Sequence, residues 1–143
     1  MGQSKPFRPT ALVVEDDPIQ REMIALLLDE TDYEVIQCED AETAELALSR
    51  HPALLITDVS LVGAMTGIEL VERAREINPA LRVIVMSGRP LAHALPDDVT
   101  FFAKPFYAIE LIREVNAVQG NGGAASQANV NSYRPISQPA RRR

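Results

Sequence analysis

The chain has few cysteines and no long apolar run, and each shortage excludes a class of protein. Cys38 is the only cysteine among 143 residues, so no disulfide can form within the chain, and no Cys/His cluster has zinc-site spacing. No apolar stretch reaches the roughly 20 residues of a membrane-spanning helix, and no signal-peptide pattern opens the sequence. We therefore expect a soluble cytoplasmic protein in which Cys38 is a small apolar residue near a strand.

Positive charge is scarce in most of the sequence. The whole chain has a net charge of −6, but the residues from Gln119 onward carry four arginines and no acid. The first 118 residues therefore hold 10 basic and 20 acidic side chains, a net charge of −10. A surface this acidic repels phosphate backbones, which argues against nucleic-acid binding by the folded core.

Length and composition predict one folded domain. With 46% hydrophobic residues the chain can bury one core, and a second domain has no room. We assign residues 1–9 to an N-terminal extension and residues 10–118 to the domain. Residues 119–143 are rich in Gly, Asn, Ser, Gln and Ala without apolar periodicity, which predicts a disordered basic tail.

Strands are predicted where short apolar runs rich in β-branched residues lack polar alternation. Such runs are typical of parallel strands that are covered on both faces. Five runs fit, at residues 11–14, 35–36, 54–57, 83–86 and 101–103. Because helical patterns lie between them, we predict an α/β domain with a doubly wound five-stranded parallel sheet. Five strands fit the flavodoxin-like order 2-1-3-4-5.

Helical periodicity follows most of the predicted strands. The first helix is predicted to begin at Asp17, a capping residue followed by Pro18. Its buried face is predicted to consist of Ile19, Met23, Leu26 and Leu27. Further helices are predicted at residues 41–49 and 68–77, and a last one has an apolar stripe from Ala108 to Val118.

The fourth connection is shorter than the others that contain helices. Only 16 residues separate Ser87 from Lys104, and they include Gly88, Pro90 and Pro96. Residues 91–95 could therefore form about one helical turn. We predict a shortened fourth helix.

Polar side chains of complementary type come at the ends of the predicted strands. They are Glu15 and Asp16 after the first strand, Asp58 after the third, Ser87 after the fourth and Lys104 after the fifth. Each alone has an ordinary explanation, such as a helix cap, a turn or a surface charge. In an open α/β sheet, however, ligands bind at the carboxyl ends of the strands. One crevice could therefore hold all five residues.

The residue types in this crevice indicate phosphoryl chemistry assisted by a metal. Three converging carboxylates repel one another unless a cation intervenes, and an all-oxygen ligand set favours Mg²⁺. Ionised Asp58 could then attack phosphorus to give an acyl phosphate. Lys104 would supply a positive charge to the phosphoryl oxygens, and Ser87 a hydroxyl donor.

Four motifs in this order resemble the response-regulator receiver family over roughly residues 10–118. They are VVEDDP at 13–18, ITDVSL at 56–61, VIVMSG at 83–88 and FFAKPF at 101–106. The resemblance implies Asp58 as phosphoacceptor and Lys104 as the lysine that precedes a proline, often through a cis bond. It also implies Glu15, Asp16, Asp58 and the backbone carbonyl of Ser60 as metal ligands, with Ser87 and Phe101 as switch residues.

The function implied by the resemblance is signalling rather than enzyme catalysis, apart from the domain's own phosphorylation and dephosphorylation. A histidine kinase or phosphotransfer protein would donate the phosphoryl group, and the stand-alone domain would then act on an unknown output protein or pass the group onward in a phosphorelay. The loop VSLVGAMTG after Asp58 departs from the family pattern, because it lacks the usual proline and has one residue more. Phe101 lacks a hydroxyl, so it could switch only by packing; a role as a core aromatic is the alternative.

Three other functions remain open. A degenerate receiver would act as a protein-binding module without phosphorylation. A metal-dependent aspartyl phosphatase would need a second acid two residues after the nucleophile, where Ser60 stands. A nucleotide- or flavin-binding module would need a glycine-rich phosphate loop after the first strand, where EDDP would repel phosphate.

Overall fold

The computed structural model describes residues 7–121, which form a five-stranded parallel sheet with helices on both faces. The strands are β1 (Thr10–Val14), β2 (Glu34–Cys38), β3 (Leu54–Asp58), β4 (Arg82–Ser87) and β5 (Thr100–Ala103). The helices are α1 (Pro18–Glu30), α2 (Ala41–Ala47), α3 (Gly67–Ile77) and α4 (Ala108–Asn121), with a 3₁₀ turn at Leu48–Arg50. The strand order is β2-β1-β3-β4-β5, so the predicted fold class is confirmed.

The central strands are buried on both faces, which explains why their sequences lack polar alternation. β1 pairs in parallel with β2 and β3, and β4 pairs with β3 and β5. Every residue of β3 is buried, including Thr57 and Asp58 at its carboxyl end. The apolar strands therefore carry their polar residues to one edge of the sheet.

The sheet separates two apolar clusters. On one face α2 and α3 pack on the sheet through small and branched side chains such as Ala44, Leu70 and Ala74. On the other face α1 and α4 contribute Ile24, Leu28, Leu111 and Val115. Both helical layers cover β1 and β3, so the carboxyl-end residues of these strands are held between packed helices.

Three helices begin at side-chain caps that also fix the loops leading out of the strands. Asp17 caps α1 by accepting a hydrogen bond from Ile19 N, as predicted. Asp40 accepts from Thr43 N at the start of α2. Thr66 and Glu69 form a capping box at the start of α3, each side chain bonding the other's backbone N–H. These caps satisfy backbone N–H groups at the starts of the helices. The capped helix starts lie at the carboxyl edge of the sheet, where the strand-end polar residues also lie.

The predicted buried face of α1 was wrong at three of its four residues, since only Leu27 packs, partly buried, against the core. Ile19, Met23 and Leu26 are 80%, 45% and 55% exposed, and the buried residues are Ile24, Ala25 and Leu28. Residues 23–28 are consecutively apolar, so periodicity alone allows two stripes about one residue apart. Packing against the sheet and α4 selects between them.

The helical turn predicted within residues 91–95 was also wrong. Residues 88–99, all of which the structure describes, contain bends and a turn at Asp97 and Asp98 but no helix. Pro90 and Pro96 lack the N–H groups that helical hydrogen bonds need, and Val99 N instead bonds Pro96 O. The connection between β4 and β5 is therefore an irregular loop.

The last helix runs through Asn121, past the predicted start of the tail at Gln119. Its stripe buries Leu111 and Val115, whereas Ala108 is exposed. Residues 122–143, most of the predicted tail, and residues 1–6 of the predicted extension lie outside the described residues. No helix within residues 7–121 is long and apolar enough to cross a membrane.

A buried ion pair links α4 to the amino ends of β4 and β5. The guanidinium of Arg82 bonds the carboxylate of Glu114, which is only 1% exposed, and Thr100 Oγ1 donates to the same carboxylate at 2.9 Å. A buried carboxylate needs such partners, because its desolvation is otherwise costly. This group holds α4 over the two strands whose other ends carry Ser87 and Lys104.

We expect Glu114→Ala to lower the free energy of unfolding by roughly 3–5 kcal/mol, because Arg82 keeps a largely buried charge without its carboxylate partner. Urea titration followed by circular dichroism measures this change. Glu45→Ala is the control, since it breaks an exposed ion pair with Arg73 and should shift the midpoint little. Equal midpoints for the two variants would contradict the prediction.

Candidate functional site

The predicted polar residues lie together at the carboxyl edge of the sheet. Asp58 and Ser87 end β3 and β4, whereas Glu15 and Lys104 directly follow β1 and β5. Backbone bonding continues through these positions, since Glu15 N donates to Cys38 O at 3.1 Å and Lys104 N to Ser87 O at 2.8 Å. The sheet therefore holds the backbone of Glu15 and Lys104, from which their side chains reach the site.

Three of these residues form an acidic cluster. One carboxylate oxygen from each of Glu15, Asp16 and Asp58 lies within 4.8 Å of the others. Glu15 and Asp58 are buried, at 1% and 8% exposure, and Asp16 is half-buried. Carboxylates this close repel one another unless a positive charge neutralises them, and their oxygens suit a hard cation. The cluster therefore fits Mg²⁺.

Lys104 reaches from the end of β5 into this cluster. Its Nζ donates to Glu15 Oε1 at 2.6 Å and to Asp58 Oδ2 at 3.0 Å. The Lys104–Pro105 peptide bond is cis, as the resemblance implied. One ammonium group thus bridges two of the three carboxylates, which lie at the carboxyl ends of the adjacent strands β1 and β3.

Burial and pairing shift the pKa values of Glu15 and Lys104. Burial raises the pKa of Glu15, although the hydrogen bond from Lys104 acts in the opposite direction. Burial favours the neutral amine of Lys104, but the hydrogen bonds to Glu15 and Asp58 outweigh it and raise the pKa of the ammonium group. Lys104 therefore stays charged at neutral pH.

Glu15 is held by the turn that leads into α1. Its Oε2 accepts a hydrogen bond from Asp17 N at 3.0 Å, and its backbone oxygen accepts one from Arg21 Nη1 at 2.8 Å. Asp17 points the other way and caps the helix, and the Ile19 N–H lowers the pKa of its carboxyl group. The EDDP sequence thus divides its acids between the helix cap and the cluster.

Two residues that the sequence analysis missed fix the backbone of Asp58. Thr57 Oγ1 donates to Asp58 O at 2.9 Å. A Cβ atom at Gly67 would lie only 1.9 Å from Asp58 O, so α3 can begin this close to β3 only because position 67 is glycine. The TG pair at the start of the third helix was the available signal, but the sequence does not reveal what the glycine approaches.

The hydroxyl of Ser87 is engaged within its own turn. Ser87 Oγ donates to Arg89 O at 2.8 Å and accepts from Arg89 N at 3.0 Å. Ser87 is buried at the end of β4, beside the acidic cluster in the order of the sheet. The geometry therefore places Ser87 at the site edge, with its hydroxyl directed to the β4–β5 loop.

Phe101 and Ser60 occupy different surroundings. Phe101 is half-buried and packs against the apolar cluster between the sheet and helices α2 and α3. Its neighbour Phe102 faces the apolar cluster on the other side of the sheet and contacts Phe106 edge to face. Ser60 lies two residues past Asp58 and is exposed. The switch role of Phe101 and the metal contact of the Ser60 carbonyl stay predictions.

Comparison with known proteins assigns this fold to a family. A family profile described as the response regulator receiver domain matches residues 11–116. The chain belongs to the response-regulator receiver domain family. Receiver domains are signalling modules of two-component systems that bind Mg²⁺ at an acidic pocket, and they interact with histidine kinases and phosphotransfer proteins.

Individual relatives differ in how much of their length this receiver spans. The response regulator receiver protein CpdR of Brucella abortus is 32% identical over 110 residues, which are 73% of this chain and 91% of CpdR. The virulence transcriptional regulatory protein PhoP of Salmonella typhi is 31% identical over 85% of this chain, but the match spans 58% of PhoP. The solved receiver domain of the hybrid histidine kinase CckA is 31% identical, with a TM-score of 0.65 over 75% of this chain and 95% of that domain.

We expect Lys104→Met to destabilise the receiver when metal is removed with EDTA. The free energy of unfolding should fall by roughly 3 kcal/mol, because Glu15 and Asp58 lose their shared cation. Added Mg²⁺ should restore part of the loss, since a cation among the carboxylates would relieve the same repulsion. Thermal unfolding followed by circular dichroism measures both effects.

The control for this experiment is Arg113→Met, which removes an exposed cation from α4. Its midpoint should stay near that of the unmodified protein with or without Mg²⁺. If Lys104→Met unfolds at the same midpoint as this control in EDTA, Lys104 does not neutralise the cluster.

Proposed function

We propose that this receiver is a stand-alone phosphoacceptor, in which a histidine kinase or phosphotransfer protein donates a phosphoryl group to Asp58. The observation that carries the proposal is the bridge from Lys104 Nζ to Asp58 and Glu15, beside a third carboxylate, at the carboxyl edge of the sheet. A lysine with only a structural role could be neutralised by one carboxylate, whereas three carboxylates converge beside Lys104. The arrangement suits neutralisation of a transferred phosphoryl group.

In the proposed reaction an oxygen of the Asp58 carboxylate attacks phosphorus. The bond from phosphorus to the donor's histidine nitrogen breaks, and an acyl phosphate forms on Asp58. Lys104 Nζ, already 3.0 Å from Asp58 Oδ2, would then donate a hydrogen bond to a negatively charged phosphoryl oxygen. Bound Mg²⁺, held by Glu15, Asp16, Asp58 and the Ser60 carbonyl, would neutralise further charge on the phosphoryl group.

The proposed switch begins at Ser87. To donate to a phosphoryl oxygen, the Ser87 hydroxyl must stop donating to Arg89 O, and movement of Oγ toward the phosphoryl group would also break the bond that it accepts from Arg89 N. Phe101, half-buried on the next strand, could follow by repacking. Phosphorylation would in this way change the surface around residues 88–101.

The proposed role is phosphorylation-dependent protein interaction, or onward transfer in a phosphorelay, in the cytoplasm. The receiver would comprise residues 10–121, from the start of β1 to the end of α4. Support for a single-domain regulator comes from CpdR, because the match spans 91% of that protein. The output partner would be a protein, since the acidic domain disfavours nucleic acid.

Incubation with acetyl phosphate and Mg²⁺ should add one phosphoryl group to the protein, and intact-mass spectrometry measures the gain. Asp58→Asn should abolish it, because the amide is not a nucleophile toward phosphorus. Asp97→Asn, which changes an exposed acid at the opposite end of the sheet, should be phosphorylated normally.

The proposal fails if Asp58→Asn gains the same mass as the unmodified protein. If neither protein gains mass, even with a histidine phosphotransfer protein as donor, the domain is a degenerate receiver. It would then act as a binding module that does not depend on phosphorylation.

Phosphorylation should also move the NMR signal of the Arg89 amide, because that amide donates to Ser87 Oγ in the structure. In Ser87→Ala the amide has no such partner, so its signal should already differ and should move less on phosphorylation. The Thr43 amide, bonded to Asp40 at the start of α2, is an internal reference that should stay in place. A phosphorylation shift at Arg89 that is the same in both proteins would contradict the switch.

A further inference from the structure

The loop between β3 and α3, residues 59–66, is held near its α3 end by a residue from another helix. Glu42 stands in the first turn of α2, and its Oε2 accepts hydrogen bonds from Ala64 N at 3.0 Å and Met65 N at 2.9 Å. Two backbone donors on one carboxylate oxygen form a charge-assisted clamp. The carboxylate thereby links α2 to the loop that leaves Asp58.

The loop sequence is adapted to this carboxylate. Gly63 has a φ of +101°, which favours glycine, and a Cβ atom there would lie 2.9 Å from Glu42 Oε1. A side chain at position 63 would therefore be strained and would also press on Glu42. Glycine at position 63 therefore allows both the positive φ of the turn and the close approach of the Glu42 carboxylate.

The first residue of the loop is tied to β4, and the start of α3 is tied back to that same residue. Val59 N donates to Met86 O at 2.9 Å, and Gly67 N donates to Val59 O at 2.9 Å. Between these ties lies Ser60, whose carbonyl is a proposed metal ligand. The position of that carbonyl depends on the course of residues 60–66, and Glu42 fixes the far side of this course.

We propose that Glu42 is a positioning residue for the metal site, acting through the loop that follows Asp58. The proposal rests on the proposed function, because it assumes that Ser60 O faces the Mg²⁺ used in phosphorylation. The loop VSLVGAMTG lacks the proline that would stiffen it from within. The hydrogen bonds from the loop amides to Glu42 on α2 would restrain the loop instead.

Glu45 offers a matched comparison on the same helix. It lies three residues after Glu42 and pairs with Arg73 Nη1 at 2.6 Å. Both glutamates line the groove of about 580 Å³ between α2 and α3. Removal of either changes the charge of this groove equally, but only Glu42 bonds the loop amides.

The test compares Glu42→Ala, Glu42→Gln and Glu45→Ala. Isothermal titration calorimetry gives the Kd for Mg²⁺, intact mass gives the initial rate of phosphorylation by acetyl phosphate, and hydrogen exchange reports on the amides of Ala64 and Met65. Glu42→Ala should weaken Mg²⁺ binding about tenfold, slow phosphorylation similarly and speed exchange at both amides. Glu42→Gln keeps an acceptor oxygen and should rescue most of this loss, and Glu45→Ala should resemble the unmodified protein.

The proposal is overturned if Glu42→Ala binds Mg²⁺ as tightly as Glu45→Ala. It is also overturned if Glu42→Gln is as damaging as Glu42→Ala, because charge and not the acceptor would then matter. A role in stability alone would lower the unfolding midpoint without changing the Kd of the folded fraction. If Glu42→Ala does not fold, Gly63→Ala replaces it, with the same weakening expected from displacement of the loop.

Failure of the proposed function gives a different result. If the unmodified protein binds Mg²⁺ but accepts no phosphoryl group, phosphorylation at Asp58 is refuted, and the ratio of the Mg²⁺ Kd values still tests Glu42. If the unmodified protein binds no Mg²⁺, the positioning role falls with the metal site.

Discussion

The ion bridge from Lys104 to Glu15 and Asp58 is the interaction on which the site depends. Two largely buried carboxylates and a half-buried third would repel one another at the end of an apolar sheet, and the ammonium group reduces that repulsion. The bridge requires that β1, β3 and β5 end at the same edge. Parallel pairing provides this alignment, because each strand enters the sheet in the same direction. The charge balance of the site is therefore a consequence of the parallel fold.

The remaining contacts tie this edge to the surrounding loops. Glu15 bonds the first turn of α1, the carbonyl of Asp58 faces Thr57 and Gly67, and Ser87 bonds Arg89. A change in charge at Asp58 would thus be felt first in the turns after the strands. Because residues 88–99 form no helix, the turn after Ser87 leads into an irregular loop instead of a packed element. A change of surface there would need few packing contacts to be broken.

The sequence predicted the strands and the cluster well, because both depend on local features. Continuous apolar runs identify buried parallel strands, and the type and position of Glu15, Asp16, Asp58 and Lys104 follow from the ends of those runs. The buried face of α1 could not be predicted, since six consecutive apolar residues allow more than one stripe. Glu42 and Gly67 could not be assigned either, because their partners are backbone atoms distant in sequence.

The most direct test of the account is to locate the phosphoryl group chemically. Borohydride reduces an aspartyl phosphate to homoserine, and peptide mass mapping then identifies the modified position after reaction with acetyl phosphate and Mg²⁺. The account predicts homoserine at position 58 in place of Asp58, and only when Mg²⁺ is present. Modification at another acid, or at position 58 to the same extent in EDTA, would contradict it.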